Sequence, residues 1–152
     1  MKKILCAVLA FSLLLSLAAC GGKEVEQEPF SPDDATTLLE SGAFSEALES
    51  IDVEIACALY GIDQTTVTDA AVYGSTGATA EELVIFVLTD EEAAQAALTA
   101  LSGYLEDWSA AIADYLPREI PKLEKAVLEQ RENSILLAVA NDYDPVEEFL
   151  SK

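Results

Sequence analysis

A cysteine behind small residues, two adjacent carboxylates and a glycine-flanked Ser-Thr turn are where this chain's side chains could do chemistry. Leu17-Ala18-Ala19-Cys20 closes an apolar run and has the pattern of a lipobox. In such a pattern the thiol of the cysteine is alkylated by a lipid donor, and a peptidase then cuts before it. Glu81-Glu82 offers two carboxylates, but neighbours in a strand point to opposite faces, so they cannot work as acid and base on one bond. One of them is expected instead to accept hydrogen bonds from the preceding Gly-rich turn. Gly74-Ser75-Thr76-Gly77 lacks the lysine of a phosphate-binding loop and is followed by acidic residues, so it reads as a hairpin turn. Asn141-Asp142-Tyr143-Asp144 begins like a calcium loop, yet its sixth position is Val146 and its twelfth Lys152, where glycine and glutamate are needed. The chain has no histidine. A Ser-His-Asp triad, a Cys-His pair and a histidine-ligated metal site are therefore excluded. No catalytic set, metal site or cofactor site is expected.

The remaining thiols narrow the chemistry further. If Cys6 leaves with a signal and Cys20 carries lipid, Cys57 stands alone and no intramolecular disulfide is possible. Cys57 lies in the apolar helical pattern Val53–Tyr60 and reads as a buried structural thiol, since no basic residue nearby in sequence would lower its pKa.

Lys2 and Lys3 followed by the apolar stretch Ile4–Leu17 form the layout of an export signal, shorter than the ~20 residues a membrane span needs. An uncleaved N-terminal anchor is the alternative, and both place the domain outside the cytoplasm. The expected organisation is a lipoprotein signal peptide over 1–19, an acidic flexible tether over 20–34 and one α+β domain over 35–152. The full chain carries 28 acidic against 8 basic residues, a net charge of −20, and loses two of its lysines with the signal. Such a surface repels nucleic acid and anionic lipid head groups. Arg118, Lys122, Lys125 and Arg131 share one stretch with Glu119, Glu124, Glu129 and Glu132, a neutral island that reads either as a docking surface or as local ion pairing.

The elements that must position these residues follow from periodicity and punctuation. Asp33 or Asp34 should cap a short helix with Leu38-Leu39 inward, ending at Gly42. Asp52–Tyr60 should form a second helix closed by Gly61. Val67–Tyr73 and Leu83–Leu88 read as strands, the latter apolar on both faces and hence central. Thr89 with Glu92 suggests a capping box for a long helix running to Leu116, halted by Pro117. Its apolar stripe, which includes Leu101, Tyr104, Leu105, Trp108 and Ile112, should pack on the sheet and bury Trp108. A partner surface is the alternative. Ala126–Gln130 and Ile135–Ala140 should make a hairpin, and Asp144 should cap a closing helix that begins at Pro145. The sum is an α+β domain: a mostly antiparallel sheet of about four strands with one long helix packed across it.

Leu59-Tyr60-Gly61-Ile62-Asp63, Tyr73, and Gly77-Ala78-Thr79-Ala80-Glu81-Glu82 ahead of an apolar strand resemble bacterial lipoproteins containing the domain of unknown function DUF4358. Tyr115-Leu116-Pro117 and Lys122–Val127 before the hairpin fit the same likeness, which spans roughly Ser45–Leu150. The resemblance implies small exported lipoproteins, chiefly of Gram-positive bacteria, with no established activity and no functional residues to carry over. Together these features lead to the expectation of a lipid-anchored, extracytoplasmic protein tied to the membrane through lipid on Cys20. The expected role is that of a non-enzymatic accessory or interaction domain with a protein partner. The alternative is a small-ligand or cation-binding lipoprotein associated with a membrane transporter.

Overall fold

Leu83–Leu88 lacks polar alternation because both of its faces are covered. In the computed structural model, which describes residues 27–152, this run lies in β3 (Glu82–Leu88), at the centre of a five-stranded sheet. The other strands are β1 (Glu49–Ser50), β2 (Val67–Gly74), β4 (Val127–Arg131) and β5 (Ser134–Val139). Their order is β1-β2-β3-β5-β4 and every pairing is antiparallel. Five helices complete the domain: α1 (Asp34–Glu40), α2 (Val53–Tyr60), α3 (Glu91–Ile112), α4 (Ile120–Glu124) and α5 (Asp144–Leu150). The α+β architecture and the long helix across the sheet are as the sequence indicates. The fifth strand is β1, whose two residues are too few to show any alternation.

The period of two along β3 divides the core. Val84, Phe86 and Leu88 face α2 and α3, together with Ile135, Leu137 and Val139 of β5. Leu83 and Ile85 face the other way, with Leu136 and Ala138, against Leu38 of α1 and Val146 of α5. Burying each such side chain contributes about 1.5–3 kcal/mol. The order of the layers is thus helix, sheet, helix.

The second layer reaches further back along the chain than a tether over 20–34 would allow. Phe30 is 3% exposed, its N–H donates to Ser134 Oγ at 2.7 Å, and its ring stacks on Phe149. The Arg131 guanidinium also lies over the Phe30 ring, 4.4 Å from its centroid. An aromatic side chain with that much surface to bury docks where it can, even beside prolines. The expected signal, Cys20 and the first part of the expected tether lie outside the described residues.

Helix ends follow local chemistry, with three shifts from expectation. Asp90, not Thr89, caps α3: its carboxylate accepts the Ala93 N–H at 2.8 Å, and its charge suits the positive end of the helix dipole. The helix ends at Ile112 and not at Leu116, and α4 fills the stretch before the hairpin. Asp144 is the first residue of α5; Tyr143 occupies the cap position. Gly61 closes α2 with φ 69°, a conformation that costs other residues strain. Gly74 lies close to Ile51: a Cβ there would meet Ile51 Cδ1 at 2.9 Å, so the tip of that side chain would have to shift.

Candidate functional site

Glu81 and Glu82 stand where β3 begins, and the strand's alternation sends them to opposite layers, as their adjacency requires. Both are buried, Glu81 1% and Glu82 8% exposed. A buried carboxylate must be paired or hydrogen-bonded, and the two meet this demand in different ways.

Glu81 is satisfied by a cation. Lys122 Nζ, carried by α4, donates to Glu81 Oε1 at 2.7 Å and also lies 3.0 Å from Glu119 Oε2. Ser45 donates to the same carboxylate through its backbone N–H, at 2.7 Å, and through its hydroxyl. Burial works against the charge on Lys122, but the hydrogen bonds and fields of Glu81 and Glu119 outweigh it and raise the ammonium pKa. Burial also opposes the charge on Glu119. The Ala80 N–H and Lys122 reverse this and hold its pKa below the ordinary range.

The Gly-rich segment is held by a different acid from the one expected. Glu46 Oε1 accepts from Ser75 Oγ at 2.6 Å and Thr79 Oγ1 at 2.7 Å, and these bonds lower the Glu46 pKa. Gly74-Ser75-Thr76-Gly77 opens a connection that runs to Glu81 and is longer than a tight hairpin turn. Its short hydroxyl side chains fix a loop; they do not cradle a ligand.

Among the described residues, Glu82 has no cation. Its Oε1 accepts from Tyr60 OH at 2.5 Å and from Tyr104 OH at 3.4 Å. Burial pushes its carboxyl up to about 7 in spite of both donors. Burial and the neighbouring carboxylate likewise raise both phenols. The rings form a continuous aromatic row. Tyr60 meets Tyr104 edge to face with centroids 4.8 Å apart, and Tyr104 meets Trp108 at 5.5 Å. Trp108 is half-buried, not fully buried as the apolar stripe suggests. Trp108 lines an open groove between α2 and α3, whereas Leu101 and Ile112 on either side of it along the helix are fully buried. The indole N–H of Trp108 is nevertheless buried, with no acceptor among the described residues. Above this row a groove of about 560 Å³ runs between α2 and α3.

The other candidates resolve into structure. Cys57 is buried in α2, and its thiol is pushed up by burial and then by the field of Asp63, the reverse of an activated nucleophile. The backbone N–H groups of Asn141 and Asp142 both donate to Ala43 O, so the calcium-like segment serves to start α5. The neutral island separates: Lys122 is committed to Glu81 and Glu119, and Arg131 pairs with Glu129 at 2.7 Å while covering Phe30. Among the described residues, no group of three or more metal-ligating side chains is arranged to hold an ion, and no helix is long and apolar enough to cross a membrane.

Sequence reasoning placed Glu81 and Glu82 but missed Lys122, Tyr60 and Tyr104 as their partners. The only signal for the tyrosines was their position on the inward stripes of two helices.

Fold and site together define a three-layer α+β domain built on an antiparallel sheet, with paired buried carboxylates at one end. The chain belongs to the family of DUF4358, a domain of unknown function, whose model matches residues 40–140. No curated protein and no solved structure matches it.

Proposed function

We propose that the protein is exported, anchored to the membrane through lipid on Cys20, and acts there as a non-enzymatic accessory or interaction domain. The observation that carries the reading is Leu17-Ala18-Ala19-Cys20 after a short apolar run. The fold is consistent with display. The chain joins the domain at Phe30, bonded to Ser134, which pairs with Val87 near the end of β3. Glu82 begins the same strand, roughly 17 Å away at ~3.4 Å per residue. Ten residues from Cys20 to Phe30 span at most about 36 Å. A tether joining the domain near Phe30 therefore meets it at the end of β3 opposite to Glu82 and its tyrosines.

The chemistry of the site also favours a non-catalytic role. Glu82 sits behind two phenols, Cys57 is protonated and buried, and Lys122 is held by two carboxylates. None of these groups is an activated nucleophile or an acid–base pair within reach of a shared substrate atom. Intact-mass analysis of membrane-extracted protein tests the anchor. The expected species begins at a diacylglyceryl-modified Cys20, and Cys20→Ser should abolish the modification. A mature N-terminus with an unmodified thiol would overturn the reading.

A further inference from the structure

We propose that the groove between α2 and α3 docks a cationic amphipathic segment of another protein. This rests on the reading of the domain as an interaction module and narrows it to one partner chemistry. The first observation is apolar exposure beside a formed groove. Ile55 and Leu59, one turn apart on α2, are 62% and 47% exposed. Leu59 lines the groove with Tyr104 and Trp108, and the facing positions on α3 include Ala100, Gly103 and Ala111. Small residues there leave room for a partner's side chains to reach the aromatic row, as helix-in-groove recognition requires.

The second observation is the charge around it. No Lys, Arg or His stands between Lys23 and Arg118, a stretch that holds 20 of the chain's 28 acidic residues. Both helices of the groove lie inside that stretch. Asp107 lines the groove itself, Glu106 is its neighbour, and Glu54 lies on α2. The helices therefore carry acid and no base. A second copy of this face would set acid against acid, and an anionic membrane would be repelled in the same way. A helix with leucine-like anchors on one side and lysines or arginines along its flanks matches both features. The anchors would fill the groove beside Trp108, and the cations would meet Glu54 and Asp107.

The test uses the lipidated full chain in vesicles of zwitterionic phosphatidylcholine, with empty vesicles as the blank. The probe is a fluorescent, photo-crosslinkable peptide of about 18 residues, five helical turns, with leucines on one face and lysines on the other. Saturable binding is expected, with crosslinks on α2 and α3 and weakening as salt is raised. A scrambled peptide of the same composition should bind about tenfold more weakly, as should Ile55→Ser with Leu59→Ser, or Asp107→Lys. These positions are exposed or line the groove, and unchanged melting of each variant confirms that folding is intact. Equal binding of the scrambled peptide, unchanged affinity in the variants, or crosslinks elsewhere or between copies would overturn the proposal. Absence of binding with lipid present on Cys20 overturns the groove assignment alone. Binding without lipid on Cys20 overturns the anchor alone.

Discussion

Glu81 and Glu82 are neighbours in the chain, equal in chemistry and both buried, yet their surroundings divide them. Glu81 keeps company with an ammonium and a serine; Glu82 has two phenols and an aromatic row. A cation in a site of low polarity offsets the loss of hydration directly, provided the geometry is tight. Phenol donors offset only part of it, so the carboxyl moves toward its neutral form. The lesson is that burial alone does not set the state of a carboxyl. The partner's charge does.

Removing that partner should give the largest effect. Lys122→Met leaves Glu81 and Glu119 without their cation, one of them fully buried, and should cost about 3–5 kcal/mol by chemical denaturation. A cost below about 1 kcal/mol would erase the distinction between the two sites.

Glu82→Gln comes next and tests the other half. The folded-state value of about 7 lies above the ordinary 4.5 for a glutamate. Between these values the folded state holds more protons than the unfolded one. The contribution of Glu82 is therefore fully present below about pH 4.5 and is lost as pH rises through 7. The glutamine variant should be more stable than wild type at pH 8, by up to about 3 kcal/mol, with the gap closing by pH 4. Comparing the two proteins at each pH removes the repulsion common to both. Parallel pH profiles would show that Glu82 titrates normally.

The two tyrosines rank the donors. Tyr60→Phe deletes a 2.5 Å bond to a charged acceptor and should cost about 2 kcal/mol at pH 8, less at pH 5, where the carboxyl is protonated. Tyr104→Phe deletes one at 3.4 Å and should cost under ~1 kcal/mol. Equal losses would mean that the carboxylate is shared evenly.

What the sequence shows here is local. The opposite facing of Glu81 and Glu82, the central position of Leu83–Leu88, the αL closure at Gly61 and the hairpin before Ala140 all follow from spacing within a few residues. The partners of the carboxylates do not. Lys122 reaches Glu81 across 41 residues, and Tyr60 reaches Glu82 across 22. No local pattern encodes which charged residue of an apparently neutral island turns inward. Phe30 was hidden by its flanking prolines and glutamates, whose composition reads as tether, although its ring packs with both Arg131 and Phe149. Trp108 shows the converse: helical period assigns a side chain to a stripe but not which part of that stripe borders an open groove.

The strand order has a consequence for the order of events as the chain folds. β3 can pair with β2 across a short connection, but its other edge waits for β5, which follows the 22-residue α3, α4 and β4. Until then Leu-Val-Ile-Phe-Val-Leu presents an unpaired apolar edge, the kind of segment that recruits other chains. Glu81 and Glu82 precede this run, and Asp90, Glu91 and Glu92 follow it. In the finished domain the first pair is buried, Asp90 caps α3, and Glu91 and Glu92 stand in its first turn. In the half-folded chain these five acidic residues flank the run from both sides, so that before they serve the native structure they keep one nascent chain from adding to the next.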